Sequence, residues 1–200
     1  MCTFFSKCFK IWNNMNAFAP FFFHLDWINL SLNDETANRM LWISEDGANV
    51  PRRGDDTIPT LGYPAAPKAH GFPHNARAAG IWGCRGYWEV EEARRVNAGT
   101  PSGLGKNEEF WRLGWSGSCY QVWFKARIKD NWDIPQCSTF GVYVDLLVGV
   151  VSFYLVEEGK EGEEKEVKLL NRLEGPIKPK ILPEFWVGVQ SSCMTLKKPE

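Results

Sequence analysis

Two stretches of the chain alternate large apolar side chains with polar residues or glycine. Residues 86–91 read Gly-Tyr-Trp-Glu-Val-Glu, and residues 110–115 read Phe-Trp-Arg-Leu-Gly-Trp. A period of two is typical of strands that bury one face. The chain also contains ten Trp and thirteen Phe among its 200 residues, and few residues suited to acid–base chemistry lie near one another. These features predict a domain that buries aromatic rings between two sheets and displays loops, and they favour a binding module over an enzyme.

Length and charge limit the class of protein further. A chain of 200 residues buries roughly 70% of its unfolded surface, so it can fold as one large β domain without cross-links. Its 23 basic and 24 acidic residues nearly cancel, which removes the net attraction that nucleic acids or membrane surfaces require. We therefore expect neither nucleic acid nor a membrane as partner.

The six cysteines are spaced too widely in sequence to form a zinc knuckle or a ring-type finger. His70 and His74 flank a glycine and a proline, which excludes the helical face on which an i, i+4 metal pair is built. We therefore expect no bound metal and no cofactor. A core of this size also favours buried, reduced thiols in an intracellular protein, and we predict a cytoplasmic location.

Residues 17–25 form an apolar run that is shorter than the roughly 20 residues needed to cross a bilayer. Pro20 interrupts the run, and Lys7 and Lys10 are separated from it, unlike the charged start of a secretory signal. We predict that residues 1–26 are an extension, disordered or loosely packed on the domain. The alternative is a segment left from a longer protein with upstream domains.

Local signals predict a short helix, two long loops and several strands. Asn33 or Asp34 is a suitable cap for a short helix. Residues 48–79 are rich in proline and residues 93–109 in glycine, so both predict long loops. The charged residues 157–166 predict a solvated hairpin tip. Residues 41–44 predict a strand. In the second half, strands are predicted for residues 119–125, 139–145, 150–156 and 185–189, and their short spacing indicates antiparallel pairing.

Short motifs occur in a fixed order along the chain. They are Leu32-Asn33-Asp34-Glu35-Thr36-Ala37, Ile43-Ser44-Glu45-Asp46, Trp88-Glu89-Val90, Val144-Asp145-Leu146-Leu147-Val148-Gly149, Val151-Ser152-Phe153-Tyr154 and the tail at residues 181–188. In this order they resemble the PRY/SPRY domain of tripartite-motif ubiquitin ligases and butyrophilins. The sequence departs from the family pattern at Leu146-Leu147, where tyrosine and glutamate are usual, and in a long insertion after Glu92.

The resemblance implies an all-β fold, a bent antiparallel β-sandwich of concanavalin-like, SPRY type with a short N-terminal helix. It assigns residues 27–200 to the PRY/SPRY domain, with the PRY part at about 27–80 and the SPRY part at about 81–200. Inward-facing residues of such a sandwich are structural. The candidates are Trp88, Val90, Trp111, Leu113, Val142, Val144, Val151, Phe153 and Tyr154.

The resemblance also implies a protein-interaction module that is not itself catalytic. Because the sequence shows no helical heptads for a coiled coil, we expect the isolated domain to be monomeric. The implied role is that of the substrate-recognition domain of a tripartite-motif ubiquitin ligase, here without its RING part. The implied process is innate immunity. Partners would bind loops at residues 48–63 and 116–137. Because binding hot spots are rich in Trp, Tyr and Arg within a polar rim, the predicted partner-binding residues are Tyr120, Trp123, Lys125, Arg127, Trp132, Arg52, Arg53 and Asp55.

Other interpretations remain open at this stage. Trp123 and Trp132 are each as well suited to packing under a loop as to contacting a partner. Arg52, Arg53, Lys125 and Arg127 are candidates for a pocket that binds phosphorylated metabolites or carbohydrate, as in butyrophilin-like or lectin-like domains. Glycoside hydrolysis by Glu89 and Glu91 is the least favoured, because Glu89 belongs to a structural motif of the family.

Overall fold

A computed structural model describes residues 26–37, 41–51, 75–78, 80–82, 85–94, 111–116, 118–124, 127–159, 165–178, 180–186 and 191–198. Fourteen β-strands lie within these ranges. They are β1 (Leu32–Asn33), β2 (Asn49–Pro51), β3 (Asn75–Ala78), β4 (Ile81–Trp82), β5 (Arg85–Arg94), β6 (Trp111–Trp115), β7 (Tyr120–Phe124), β8 (Arg127–Asn131), β9 (Thr139–Asp145), β10 (Val150–Glu157), β11 (Glu166–Glu174), β12 (Lys180–Ile181), β13 (Glu184–Trp186) and β14 (Ser191–Leu196).

The largest sheet has six strands in the order β11-β10-β9-β5-β14-β2, and each neighbouring pair is antiparallel. Smaller sheets are formed by β1-β3-β13, by β4 with β12, and by β6-β7-β8. Side chains from these smaller sheets pack against the large one in a shared hydrophobic core. The structure thus confirms the antiparallel β-sandwich that the sequence predicted.

The inner face of the large sheet supplies the main core. Trp88 pairs with Val142, which pairs with Phe153, so these three side chains form one row across β5, β9 and β10. Trp88 and Phe153 are buried, and they belong to the same cluster as Leu32 and Val122 from the opposing sheets. Full burial of side chains of this size contributes about 1.5–3 kcal/mol each. The sandwich is therefore held mainly by rows of this kind.

Part of the outer face of the large sheet, around Tyr87 on β5, is packed as well. Residues 26–28 run beside β5, where Ile28 N donates to Tyr87 O and Tyr87 N donates to Asp26 O, both at 2.8 Å. The ring of Trp27 packs edge-on against that of Tyr87, with centroids 5.3 Å apart. Tyr87 and Glu89 are consequently buried although they face away from the main core.

The structure corrects the predicted position of Tyr154. Its ring packs with Tyr87 on the outer face, with centroids 6.4 Å apart, whereas its neighbour Phe153 lies in the main core. Consecutive residues of a strand point to opposite faces, so only one of the two can line the inner layer. Tyr154 keeps a structural role on the other side of the sheet.

The predicted N-terminal helix is a single 3₁₀ turn over Asp34–Thr36. Asn33 is its N-cap, and its side chain accepts a hydrogen bond from Glu35 N at 2.9 Å. Thr36 connects the turn to β3 through a hydrogen bond, in which the Thr36 hydroxyl accepts from Arg77 N at 3.0 Å. The cap was therefore predicted correctly, while the helix is shorter than an α-helix.

Several predictions about single elements have a clear outcome. The strand at residues 139–145 has the predicted bounds, and Glu157 pairs with Glu166, which confirms the hairpin at the charged run. The strand predicted at 41–44 is wrong, because residues 42–44 belong to no strand. The loop predicted at residues 48–79 contains β2 near its start and β3 near its end. The loop predicted at residues 93–109 begins within the last two residues of β5. The interiors of both loops, residues 52–74 and 95–109, lie outside the described residues.

The β9–β10 connection at residues 146–149 is a tight turn built by Asp145. Its side-chain Oδ1 accepts from Leu147 N at 3.0 Å and from Val148 N at 3.2 Å. Gly149 has a φ of 74°, which residues with a side chain adopt rarely. Gly175 N donates to Gly149 O at 2.9 Å, so the start of β10 is also bonded to the segment after β11.

Candidate functional site

Strand β7 divides the β6-β7-β8 sheet into a buried and an accessible face. Tyr120 and Val122 are buried, whereas Gln121 and Trp123 are partly exposed. Cross-strand partners share a face, and Trp123 pairs with Arg112 on one side and Ile128 on the other. Gln121 likewise pairs with Gly114 and Asp130. We call the accessible side the β6–β8 outer face, formed by Arg112, Gly114, Gln121, Trp123, Ile128 and Asp130.

Tyr120 lies in the core, so its predicted role as a partner-binding residue is corrected. Its side chain is 0% exposed. The ring packs against Trp115 and Phe140, with centroids at 4.7 and 5.8 Å. The phenolic oxygen accepts from Cys137 N at 2.6 Å, so this buried amide depends on the tyrosine. A residue enclosed in this way cannot contact another protein.

Tyr120 does, however, position the loop that carries Trp132. The side-chain amide of Asn131 donates to Tyr120 O at 3.3 Å, just before the loop begins. Cys137 N bonds the Tyr120 hydroxyl where the loop ends. Between these anchors, Asp133 has a φ of 61°, an unusual backbone conformation for a residue with a side chain. Trp132 is 58% exposed, so a large ring is displayed from a loop fixed at both ends.

Trp123 is half-buried beneath an arginine. The guanidinium carbon of Arg112 lies 4.3 Å from the centroid of the Trp123 ring, a cation–π arrangement that contributes about 0.5–1 kcal/mol at an exposed site. Burial lowers the pKa of Arg112 to about 10. A Cβ at position 114 would lie 3.1 Å from Arg112 Nη2, so Gly114 leaves room for this stack.

The rest of the outer face is a mixture of apolar and polar groups. Ile128 is 56% exposed. The side-chain amide of Gln121 donates to Asp130 Oδ1 at 2.9 Å, which fixes both polar side chains across the sheet. Arg127 is exposed on the same strand as Ile128. The face therefore offers the accessible hydrophobic side chain of Ile128 next to ordered polar groups, and the adjoining loop adds the exposed ring of Trp132.

Four of the predicted site residues, Arg52, Arg53, Asp55 and Lys125, lie outside the described residues. Arg127 is thus the single described member of the basic cluster that was considered for binding phosphorylated metabolites. His70 and His74 lie outside the described residues as well. Trp123, Arg127 and Trp132 remain as predicted residues that the structure places at the surface of one sheet and its adjoining loop.

The paired carboxylates considered for glycoside hydrolysis occupy a packed environment. Glu89 is 4% exposed, and its Oε1 accepts from the Tyr87 hydroxyl at 2.9 Å. Glu91 pairs with Lys197 at 3.4 Å. Because a glycosidase must bring both carboxylates to a sugar in an open cleft, the burial of Glu89 contradicts this role.

The described residues also bear on metal binding, on the state of the thiols and on membrane spans. Within the described ranges, no group of three or more His, Cys, Asp or Glu side chains is placed to hold a metal ion. The three described cysteines, Cys119, Cys137 and Cys193, are free thiols. The same ranges contain no helix long and apolar enough to span a bilayer.

Comparisons with known proteins agree with this architecture. No family model matches the chain. It is 29% identical over 150 residues to stonustoxin subunit beta of Synanceia horrida, a match that covers 67% of this chain and 21% of that protein. The chain thus spans about a fifth of that curated relative.

Two solved structures share the fold. The crystal structure of the TRIM65 PSpry domain has a TM-score of 0.69 and 17% identity, covering 88% of this chain and 95% of that domain. The stonustoxin structure has a TM-score of 0.61 and 24% identity, covering 85% of this chain and 27% of that one. The chain therefore has the PRY/SPRY fold, which confirms the fold that the ordered motifs predicted.

Proposed function

We propose that this domain binds another protein through the β6–β8 outer face and the neighbouring Trp132. The observation that carries the proposal is the exposure of two hydrophobic side chains on and next to β8. Ile128 is 56% exposed and pairs with Trp123 of the Arg112–Trp123 stack, and Trp132 is 58% exposed in the loop that follows β8. Hot spots of protein interfaces are enriched in Trp and Arg, surrounded by groups that exclude water. A ring displayed from an anchored loop also loses little conformational freedom on binding.

The framework beneath this surface supports recognition by a rigid scaffold. Tyr120 and Val122 are buried directly behind the exposed face of β7, and Tyr120 anchors both ends of the Trp132 loop. A fold hosts many functions, so the proposal depends on these residues more than on the shared architecture. The similarity to the TRIM65 PSpry domain supports it at the level of the fold.

The family resemblance supports a finer proposal. In it, the domain is the substrate-recognition part of a tripartite-motif ubiquitin ligase, acts in the cytoplasm in innate immunity, and is monomeric and non-catalytic by itself. A full-length transcript that encodes an upstream RING domain and coiled coil would support this assignment. A transcript that encodes unrelated upstream domains would contradict it while leaving the binding proposal intact.

The binding proposal is tested by affinity capture with Trp132→Ala, followed by measurement of the dissociation constant with the purified partner. We expect a loss of about 2 kcal/mol or more, which is roughly thirtyfold in Kd. The free energy of unfolding should change by less than about 0.5 kcal/mol, because the side chain is exposed.

Trp42→Ala is the matched control. Trp42 is also exposed, at 44%, but lies outside the β6-β7-β8 sheet. We expect this variant to bind the partner as the wild type does. Equal losses for both variants, or unchanged binding by Trp132→Ala, would show that the partner uses another surface.

A further inference from the structure

Strand β8 forms one edge of the β6-β7-β8 sheet. It pairs with β7, and no other strand in the described part of the chain pairs with its second side. Residues 127–130 are exposed. An edge strand presents backbone N–H and C=O groups that another extended chain can bond. The outer side of β8 therefore has the geometry to accept one more strand.

The register indicates which backbone groups are directed outward. Phe124 pairs with Arg127, and only two residues separate them in sequence. In an antiparallel hairpin with so short a connection the flanking pair is hydrogen-bonded, and bonded and non-bonded pairs then alternate. Ile128 and Asp130 belong to the non-bonded set, so their N–H and C=O groups point away from β7.

The side chains of β8 indicate the chemistry of the incoming strand. Arg127 and Lys129 are both exposed and, among the residues the structure describes, neither forms an ion pair. They lie two positions apart, about 6.8 Å along one face of an antiparallel strand. The carboxylate of Asp130 is on the opposite face and accepts from the Gln121 side chain. One face of the edge is therefore cationic, and the exposed Ile128 lies on the other.

We propose that β8 binds an extended segment of the partner protein whose carboxylates at alternate positions face Arg127 and Lys129. The residue between those carboxylates is apolar and packs beside Ile128. This inference rests on the proposed protein-binding function and specifies the partner's chemistry and its mode of docking.

Two alternatives fit the observations less well. A second copy of β8 would bring Arg127 and Lys129 near the same residues, and like charges directly opposite each other destabilise a strand pair. Strand β11 is the outer strand at one end of the large sheet, and its pairing with β10 has a register shift opposite Phe153 and Tyr154 of β10. Bulges of this kind protect edges from pairing. No register shift interrupts the pairing of β8.

Synthetic peptides test the proposal directly. The probe is a fluorescein-labelled peptide of sequence Ser-Glu-Val-Glu-Val-Glu-Ser, and its counterpart carries lysine in place of glutamate. We expect the acidic peptide to bind at least about tenfold more tightly than the basic one. Equal affinities would overturn the charge assignment.

Methylation of peptide amides distinguishes strand pairing from charge attraction alone. A strand directs alternate amides to each side, so methylating the valine amides and methylating the glutamate amides block opposite edges. We expect one methylated peptide to lose binding by about tenfold or more and the other to retain it. Equal binding by both would overturn the strand-addition model.

Variants of the protein provide an independent readout. Lys129→Glu should lower the affinity for the acidic peptide about tenfold. Lys198→Glu, at an exposed position after the C-terminal end of β14, should leave that affinity unchanged. Ile128→Pro removes an outward N–H, which an edge strand tolerates, and it should weaken binding while the unfolding transition stays cooperative. If Ile128→Pro does not fold, the methylated peptides still decide the mode of pairing.

The two proposals can fail separately. One outcome is that capture of the partner requires Trp132, but neither Lys129→Glu nor competition by the acidic peptide reduces it. This outcome would refute strand addition and leave the proposed function standing. The other outcome is that the acidic peptide binds selectively, but no protein is captured in a way that depends on Trp132. This outcome would refute the proposed function as stated.

Discussion

The large sheet and the β6-β7-β8 sheet differ in how many of their faces are covered. On β10, Phe153 and Ser152 point to opposite faces, and both are buried. On β7, Tyr120 and Val122 are buried while Gln121 and Trp123 remain partly exposed, and four of the five residues of β8 are exposed. The central strands of the first sheet thus have packed side chains on both sides, and the second sheet has them on one side only.

This difference separates the roles of the two sheets. A sheet covered on both faces contributes stability at nearly every position, because each side chain replaces water with protein contacts. A sheet covered on one face has alternate positions that are free to bind another molecule. Mutations in the large sheet should therefore affect folding, while mutations on the β6–β8 outer face should affect recognition.

The largest expected contrast is between Phe153→Ala and Ile128→Ala. Phe153 is 5% exposed and Ile128 is 56% exposed. We expect Phe153→Ala to lower the free energy of unfolding by about 3–5 kcal/mol, and Ile128→Ala to lower it by less than about 0.5 kcal/mol. Urea denaturation of both variants gives the comparison. Similar losses would mean that the outer face is covered as well.

A smaller contrast in stability is expected between the two opposite faces of β7. Tyr120→Phe keeps the ring but removes the oxygen that accepts from Cys137 N at 2.6 Å. Leaving a buried amide without an acceptor costs about 1–3 kcal/mol, and exchange of the Cys137 amide with solvent should accelerate. Trp123→Phe should cost less than about 1 kcal/mol and leave that amide protected. Unchanged exchange in Tyr120→Phe would contradict the anchoring role of the hydroxyl.

The smallest expected effect appears at alkaline pH. Burial, followed by the charge of Asp145, raises the pKa of Tyr143 to about 12, and burial also raises the pKa values of Tyr87 and Tyr154. The unfolded chain loses these protons near pH 10, as ordinary tyrosines do. Because the unfolded state then holds fewer of these tyrosine protons than the folded one, the tyrosine contribution to stability falls as pH rises from about 10 to about 12. The lowered pKa of Arg112 acts in the opposite direction and offsets part of this fall.

Tyr143→Phe should make this alkaline loss shallower, measured as the change in the free energy of unfolding with pH. Trp42→Phe is the control, since it removes no titrating group, lies outside the sheet that carries Arg112, and should leave the slope as it is in the wild type. Identical slopes for all three proteins would show that Tyr143 ionises as readily in the folded state as in the unfolded one.

Local alternation predicted some strands well and missed others for physical reasons. Residues 139–145 alternate regularly, and β9 has the predicted bounds. In β11 the adjacent Leu169 and Leu170 and the register shift opposite them disturb the pattern, so this strand was not predicted. Residues 41–44 show the reverse case, because Leu41 and Ile43 are buried although residues 42–44 belong to no strand.

The candidate site could be predicted only in part. Alternation already places Tyr120 and Trp123 on opposite faces of β7, and this signal could have removed Tyr120 from the site. Arg112 and Ile128 were missed because their positions beside Trp123 depend on strand register, and a single sequence does not specify which residues face each other across strands. Trp132 was found by its residue type and its polar surroundings.

The close contact between Gly149, in the β9–β10 turn, and Gly175, after β11, has a practical consequence. A Cβ at Gly149 would overlap the carbonyl oxygen of Gly175, and the positive φ of Gly149 adds strain to any replacement. Libraries that randomise the 146–149 turn should therefore yield mostly misfolded clones. The segment between Asn131 and Cys137 is held by Tyr120 at both ends and at Pro135, whose carbonyl accepts from the Tyr120 hydroxyl at 3.4 Å. Its exposed residues Trp132 and Asp133 are the better place to insert foreign sequences when this scaffold is turned into an affinity reagent.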